Sequence, residues 1–376
     1  DVALVDRVSD VAPEFAETSV ADATVRHLID MTAGTDFVED YDSYSQPDSD
    51  IQVIEYERQA NFRPLAGRNA VGVLAHFRTY GLAREHGSWF DYRSPLTNIV
   101  ARVLECATGT DYASLLSRDL WGPIGAEHPA EIVVDSKGFP IAEAGICCSL
   151  RDLARVGLAH LDGDSNDQDC VVPQRWIDDC FRIDSIARDA FVAAPTFDSG
   201  SETPWSPRAY RNAWWIVESE RVMTGLGIFG QFCWIHRPSR TVIARFSTWP
   251  EASLDDHRDA TLKAFGAIVE ALRLGRERQD RQERREGDLA ERAPVGARVQ
   301  GPSSLSSFSC RSRPSGACAL LAAKHRLARH VRARDELPDV ASDFRALLHH
   351  HPMVVIRVEA DGQIGDPLVE STQVTG

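Results

Sequence analysis

In the stretch "SWFDYRSPLTNIVARVLE", residues 88–105, Tyr92 and Ser94 stand two apart, directly before Pro95 and a segment with an apolar stripe. A phenol and a hydroxyl at the mouth of a helix can relay protons. With a reference pKa of about 10, however, the phenol acts as a base only where nearby positive charge stabilises its anion. The same spacing also suits a tyrosine packed at a turn, a serine opening a helix and a proline in its first turn. The cation is the scarce partner. Lys137, Lys263 and Lys324 are the only lysines, so a mechanism that needs one has few places to put it.

Other reactive side chains point elsewhere. His349, His350 and His351 are consecutive, and consecutive residues on a regular element cannot all face one ion, so they read as a solvated tract. His27 and His160 lie within helical patterns and read as packed or surface residues. Cys147 and Cys148 lack C-x-x-C spacing, and the remaining cysteines are scattered, as buried reduced thiols are. No metal or organic cofactor is expected.

The elements that must position Tyr92 begin with a helix capped at Thr24, with Val25, Leu28 and Ile29 on one face and Gly34 as its stop. A second starts near Thr97 with Ile99, Val100, Val103 and Leu104 as its stripe, and a third covers Tyr112 to Leu120. Ser149, three before Asp152, opens a fourth with Leu150, Leu153 and Val156 inward. "AWWIVE", "LGIFGQFCWIH" and "TVIARFSTW" read as three strands, the last two joined by a turn at 237–240. Trp214 and Trp215 alternate across the first, so one lines the core and the other faces the cleft. A helix at 257–273 then carries Leu262, Phe265, Ile268, Val269 and Leu272 on its apolar side. Helices followed by an antiparallel meander and a covering helix make an α+β domain.

A net charge of −15 argues against a nucleic-acid or anionic-membrane partner, because both need a basic excess. With no apolar run long enough to cross a bilayer and no apolar leader, a soluble, cytoplasmic protein with a small-molecule partner is expected. Oligomeric state has no readable signature. Residues 1–274 read as one domain, 275–318 as a charged and Ser/Pro-rich linker without fixed structure, and 319–376 as an extension. The Arg and Glu run after Gly275 fits either a solvated helix or a linker. Within the extension, "DVASDFRALLHHH" suggests a short helix and "MVVIRVEADGQIGDPLVE" two strands turning at Asp361-Gly362.

Four blocks in order, "TVRHLIDMTAGTDF", "FDYRSPLTNIVARVLECATG", "EAGICCSLRDLARVGLAHL" and "GLGIFGQFCWIHRPSRTVIARFSTWP", resemble the serine hydrolases related to class C β-lactamases, in their 6-aminohexanoate-dimer hydrolase and esterase branch. The similarity runs from about residue 1 to 273. It implies a β-lactamase/transpeptidase-like fold and hydrolysis of a small amide or ester through an acyl-serine intermediate. It also implies Tyr92 as the base and Ser94 as a contact to substrate or lysine. "GIFGQF" falls where that family has a substrate-flanking strand, which implies substrate contacts for Phe229, Gly230 and Gln231; an ordinary central strand is the equal alternative.

The family's S-x-x-K motif is missing. Three residues before the lysines stand Val134, Ala260 and Leu321. "DVALVDRVSDVAPEF" resembles a segment that follows the motif in that family, so the chain is expected to begin downstream of the nucleophile. Either the chain is a fragment of an active serine hydrolase, or it is a non-catalytic remnant or binding protein. Lacking N-terminal strands and the nucleophile helix, it is expected to expose a sheet edge and to be poorly stable.

Overall fold

The computed structural model describes residues 2–41, 44, 51–161, 170–194, 203–291, 353–357 and 369–370. The helices are α1 (Val8–Val11), α2 (Val25–Ile29), α3 (Gln52–Gln59), α4 (Val73–Phe77), α5 (Pro95–Thr108), α6 (Tyr112–Leu116), α7 (Leu150–Ala159), α8 (Gln174–Cys180), α9 (Ser185–Ala193) and α10 (Asp255–Glu291). A small antiparallel pair joins β1 (Glu131–Ile132) to β2 (Ile146–Cys147). The main sheet runs in sequence order through β3 (Ala209–Arg211), β4 (Trp214–Val217), β5 (Val222–Gly227), β6 (Gln231–His236), β7 (Thr241–Arg245), β8 (Met353–Arg357) and β9 (Val369–Glu370). Every pairing in it is antiparallel. This is the expected α+β arrangement.

The sheet is covered on both faces. Ala154 and Leu158 of α7 pack with Ile216, Ile235 and Val242 on one side, and Leu262, Phe265 and Ile268 of α10 pack with Phe232, Trp234 and Ile243 on the other. Alternation along β6 sends Phe232 and Trp234 to the α10 side and Cys233 and Ile235 to the α7 side. A third cluster, around Phe15, Leu28, Phe37, Ile54, Phe77 and Ile99, holds the helical region together.

Capping set two helix starts as expected. Thr24 accepts the His27 backbone N–H, and the box is closed by the His27 ring instead of a carboxylate. Ser149 accepts the Asp152 N–H. Other expectations need correction. The first helix stops at Ile29; Met31 turns the chain with φ 54°, and Gly34 serves a close crossing instead of a helix stop. A Cβ on Gly34 would lie 2.0 Å from the Arg84 carbonyl oxygen. The third helix is α-helical only to Leu116 and continues as a π turn over Ser117–Trp121. On α7, Ala154, Gly157 and Leu158 are buried, while Leu150, Leu153 and Val156 are only half-buried.

The supposed strand "LGIFGQFCWIH" is a hairpin tip with its flanks. Ile228–Gly230 forms a 3₁₀ turn between β5 and β6, with Phe229 at φ 57° and Gly230 at φ 81°. Consecutive left-handed residues reverse the chain, and the apolar sequence on both sides hides the reversal.

The β7 edge is not open. Val354 of β8 pairs with Ala244 and Val355 with Ile243. The uncovered edge expected next to the meander is therefore occupied by a strand from the C-terminal extension. The two strands expected there form the β8–β9 pair, whereas the turn at Asp361-Gly362 and the helix at 339–351 lie outside the described residues. Helix α10 runs to Glu291, so the charged run after Gly275 begins as a helix.

Candidate active site

Two arms build the wall that carries Tyr92. One, residues 32–41, leads away from α2; the other, residues 84–94, leads into α5. Arg93, 2% exposed, fastens them: its Nε donates to Phe37 O, its Nη1 to Ala33 O and its Nη2 to Asp91 Oδ2, each at 2.7 Å. A buried guanidinium with three acceptors is satisfied and rigid.

Ser94 precedes α5 but does not cap it with its side chain. Its N–H donates to Glu39 Oε2 at 2.8 Å and its hydroxyl to Glu39 Oε1 at 2.5 Å, while Tyr41 donates its hydroxyl to the same Oε1 at 2.5 Å. The carboxylate of Glu39 thus takes from the other arm the N-cap N–H, the bond that an N3 side chain makes in a capping box. Burial pushes the Glu39 carboxyl up, and the bonds from Ser94 and Tyr41 oppose that shift.

These residues line a cavity of about 340 Å³. Its rings are Phe37, Tyr41, Tyr56, Phe62, Phe90, Tyr92, Trp215, Phe232 and Trp249, and its acids are Glu39, Glu57, Asp91, Glu143 and Asp255. Tyr92 stacks on Trp215, with centroids 5.7 Å apart and 16° between planes, and Tyr210 meets it edge-on at 6.0 Å. The Tyr92 hydroxyl has no hydrogen-bond partner among the described residues. Burial, then the carboxylates of Glu39 and Glu143, push its pKa far above the ordinary phenol value. Glu143 is likewise held well above the carboxylate range, first by burial and then by Glu39 and Glu57, and its Oε2 is buried without a partner. Glu57 differs, receiving the Tyr44 hydroxyl and the Arg63 guanidinium, both at 2.5 Å.

Of the basic residues, Arg258 lines the cavity, and it is engaged with Asp255 at 3.0 Å and Asp259 at 3.6 Å. Lys137 and Lys263 do not line it, and Lys324 lies outside the described residues. The cavity therefore offers acids and a neutral phenol. Among the described residues no lysine lines it, and its one lining arginine is engaged with Asp255 and Asp259.

The other expected site residues fall at the hairpin tip, beside the cavity. Gly227 and Ile228 line it, whereas Phe229, Gly230 and Gln231 do not. Phe229 packs toward Tyr44 at 6.1 Å; Gly230 lies against Trp249, where a Cβ would approach the ring to 2.3 Å. Gln231 is tied to the next strand, donating to Ser247 O at 2.6 Å and accepting from Ser247 N at 3.2 Å. Trp215 faces the cavity and Trp214 packs on His160, the split that strand alternation predicts.

Sequence reading missed Glu39, Tyr41 and Glu143. The signal available was an acid inside an otherwise aromatic or apolar stretch, "FVEDY" and "IAEAG". Among the described residues no group of His, Cys, Asp and Glu is arranged to hold a metal ion, and no helix is long and apolar enough to cross a membrane.

Residues 1–268 match the family described as Beta-lactamase. The 6-aminohexanoate-dimer hydrolase of Paenarthrobacter ureafaciens is 32% identical over 246 residues, which cover 65% of this chain and 59% of that protein. The chain thus spans well under two thirds of that relative's length. The solved structure of a "Putative 6-aminohexanoate-dimer hydrolase" from Bacillus anthracis superposes with a TM-score of 0.60 at 22% identity, covering 72% of this chain and 67% of the other. That likeness concerns the fold.

Proposed function

The chain belongs to the beta-lactamase family, and from that premise we propose that it forms the tyrosine-bearing wall of a serine hydrolase for small amides or esters. The nucleophilic serine and its lysine would come from a segment outside these 376 residues. One observation carries the reading: an unpartnered phenol, Tyr92, faces a cavity with buried acids and no uncommitted lysine or arginine among the described residues. A buried anionic cavity is costly without a counter-charge. An incoming lysine ammonium would offset that cost and bring the phenol's pKa down.

In the complete site, Tyr92 as phenolate takes the proton from the serine hydroxyl while the serine oxygen bonds to the carbonyl carbon. The C–N or C–O bond then breaks, and the leaving amine or alcohol receives that proton. Water, deprotonated by the same phenolate, attacks the acyl carbon; the bond to the serine oxygen breaks and that oxygen takes the proton back. Ser94, held by Glu39, is the polar contact next to the base. At the hairpin tip, Gly227 and Ile228 bound the substrate. No step requires a metal or organic cofactor.

A second reading has its own observation: among the described residues nothing lowers the Tyr92 pKa, so the chain alone is a binding wall without chemistry. Intact mass after treating the natively expressed protein with a fluorophosphonate separates the two. One covalent adduct, lost on Tyr92→Phe, supports the hydrolase. A folded sample with the mass of residues 1–376 and no adduct establishes the non-catalytic reading.

A further inference from the structure

Away from the cavity, the arms that carry Glu39 and Tyr92 meet at two imidazoles. The rings of His27 and His86 lie 5.8 Å apart, inclined by 31°. Each uses Nδ1 as an acceptor for a backbone N–H: His86 from Gly34 at 3.0 Å, His27 from Thr24 at 3.1 Å. Gly34 is gripped on both sides, since its carbonyl accepts from Ala83 N at 2.8 Å and Arg84 N at 3.2 Å. The seam continues toward the cavity through Gly87 N to Thr32 O at 2.8 Å, Asp91 N to Met31 O at 2.9 Å and the Arg93 clamp.

An acceptor at Nδ1 exists only in a neutral ring. Imidazolium carries hydrogen on both nitrogens, so protonation would set N–H against N–H at both bonds and place two cations side by side. We propose that His86 is a positioning residue for the Tyr92 wall: neutral, it locks arm 32–41 to arm 84–94 through Gly34, with the His27 ring beside it on α2; protonated, it releases them. The proposal rests on reading that wall as the substrate site.

The surrounding charges divide. Burial holds both rings below the ordinary histidine value, and His86 adds to the effect on His27. Asp22 and Glu85 pull His86 the other way. On the elements alongside, Arg26 is engaged with Asp30 and Asp179, Asp30 also with Arg211, and Arg84 lies over the Trp89 ring.

Amide hydrogen exchange of the full chain, corrected for intrinsic rates and followed from pH 7.5 to 5, tests this without requiring turnover. In the wild type, protection of the Gly34 amide should fall about tenfold or more on acidification while the β6 amides keep theirs. His86→Asn retains an acceptor that does not titrate, and should hold Gly34 protection within about threefold across the range. His86→Leu should lose it at every pH. Equal acid loosening in His86→Asn, or wild-type protection of Gly34 in His86→Leu, would overturn the proposal; should His86→Leu not fold, the asparagine comparison decides alone. Fluorophosphonate labelling reads the hydrolase assignment separately, so either can fail without the other.

Discussion

The sheet between α7 and α10 and the cavity at Tyr92 hold opposite kinds of desolvated ionisable group. In and around the sheet, burial holds His160 and His236 down at about 4, so both are neutral near pH 7. In the cavity, burial pushes the carboxyls of Glu39 and Glu143 and the phenol of Tyr92 up. Desolvation penalises whichever form is charged, so the two regions respond to pH with opposite sign. For the histidines, the unfolded chain binds protons more readily. Their contribution is complete above about pH 6.5 and is lost as pH falls toward 4. For the raised carboxyls, stability is complete below the unfolded value of about 4.3 and declines as pH rises through the folded one. Around the sheet burial favours neutral imidazoles, whereas in the cavity it favours the neutral carboxyls of Glu39 and Glu143.

That contrast can be broken at the sheet first. Phe265 is 0% exposed in the α10 layer, and Phe265→Ala should cost about 3–5 kcal/mol in denaturant unfolding. Gly230→Ala is next: a Cβ would meet Trp249 at 2.3 Å from a backbone at φ 81°, with an expected loss of about 2–3 kcal/mol. In the cavity the sign reverses. Glu143→Gln mimics the protonated acid, so it should match the wild type near pH 4 and exceed it by on the order of 1 kcal/mol at pH 8. A wild type more stable than this variant at pH 8 would mean that the hydrogen bond from Asn98 outweighs the desolvation of the carboxylate. His160→Leu should flatten the acid limb, reducing the slope of stability against pH between about 6.5 and 4 by up to about 1.4 kcal/mol per unit. An unchanged slope would place the acid sensitivity elsewhere. The smallest stability effect belongs to Tyr92→Phe. Because its hydroxyl has no partner among the described residues, the change should stay within about 0.5 kcal/mol while abolishing any serine labelling.

Local patterns with short-range causes were legible in the residues. Thr24 and Ser149 mark helix starts because a cap is made within three residues, and the Trp214/Trp215 split follows from strand alternation. Patterns with two physical readings were not. "LGIFGQFCWIH" alternates well enough to be one strand, and only the left-handed pair Phe229-Gly230 makes it two. Gly34 looks like a helix stop, but it is glycine because the Arg84 carbonyl crosses there. In the site, Tyr92 and Ser94 could be named in advance. Glu39 lies 55 residues from Ser94 and Glu143 lies 51 residues beyond Tyr92, and such separations carry no periodic signal.

By itself, the order of motifs carried the resemblance that names the family and implies the candidate base, and the order of helical and strand patterns carried the α+β class. It also showed that these residues contain no S-x-x-K motif. Tertiary structure alone decided that Ser94 is held by Glu39, that β8 closes the β7 edge, and that Tyr92 shares its cavity with Glu39 and Glu143. The physical reason is shared: hydrogen bonds across long loops and the cost of desolvating a charge depend on which segments meet, and only folding brings them together.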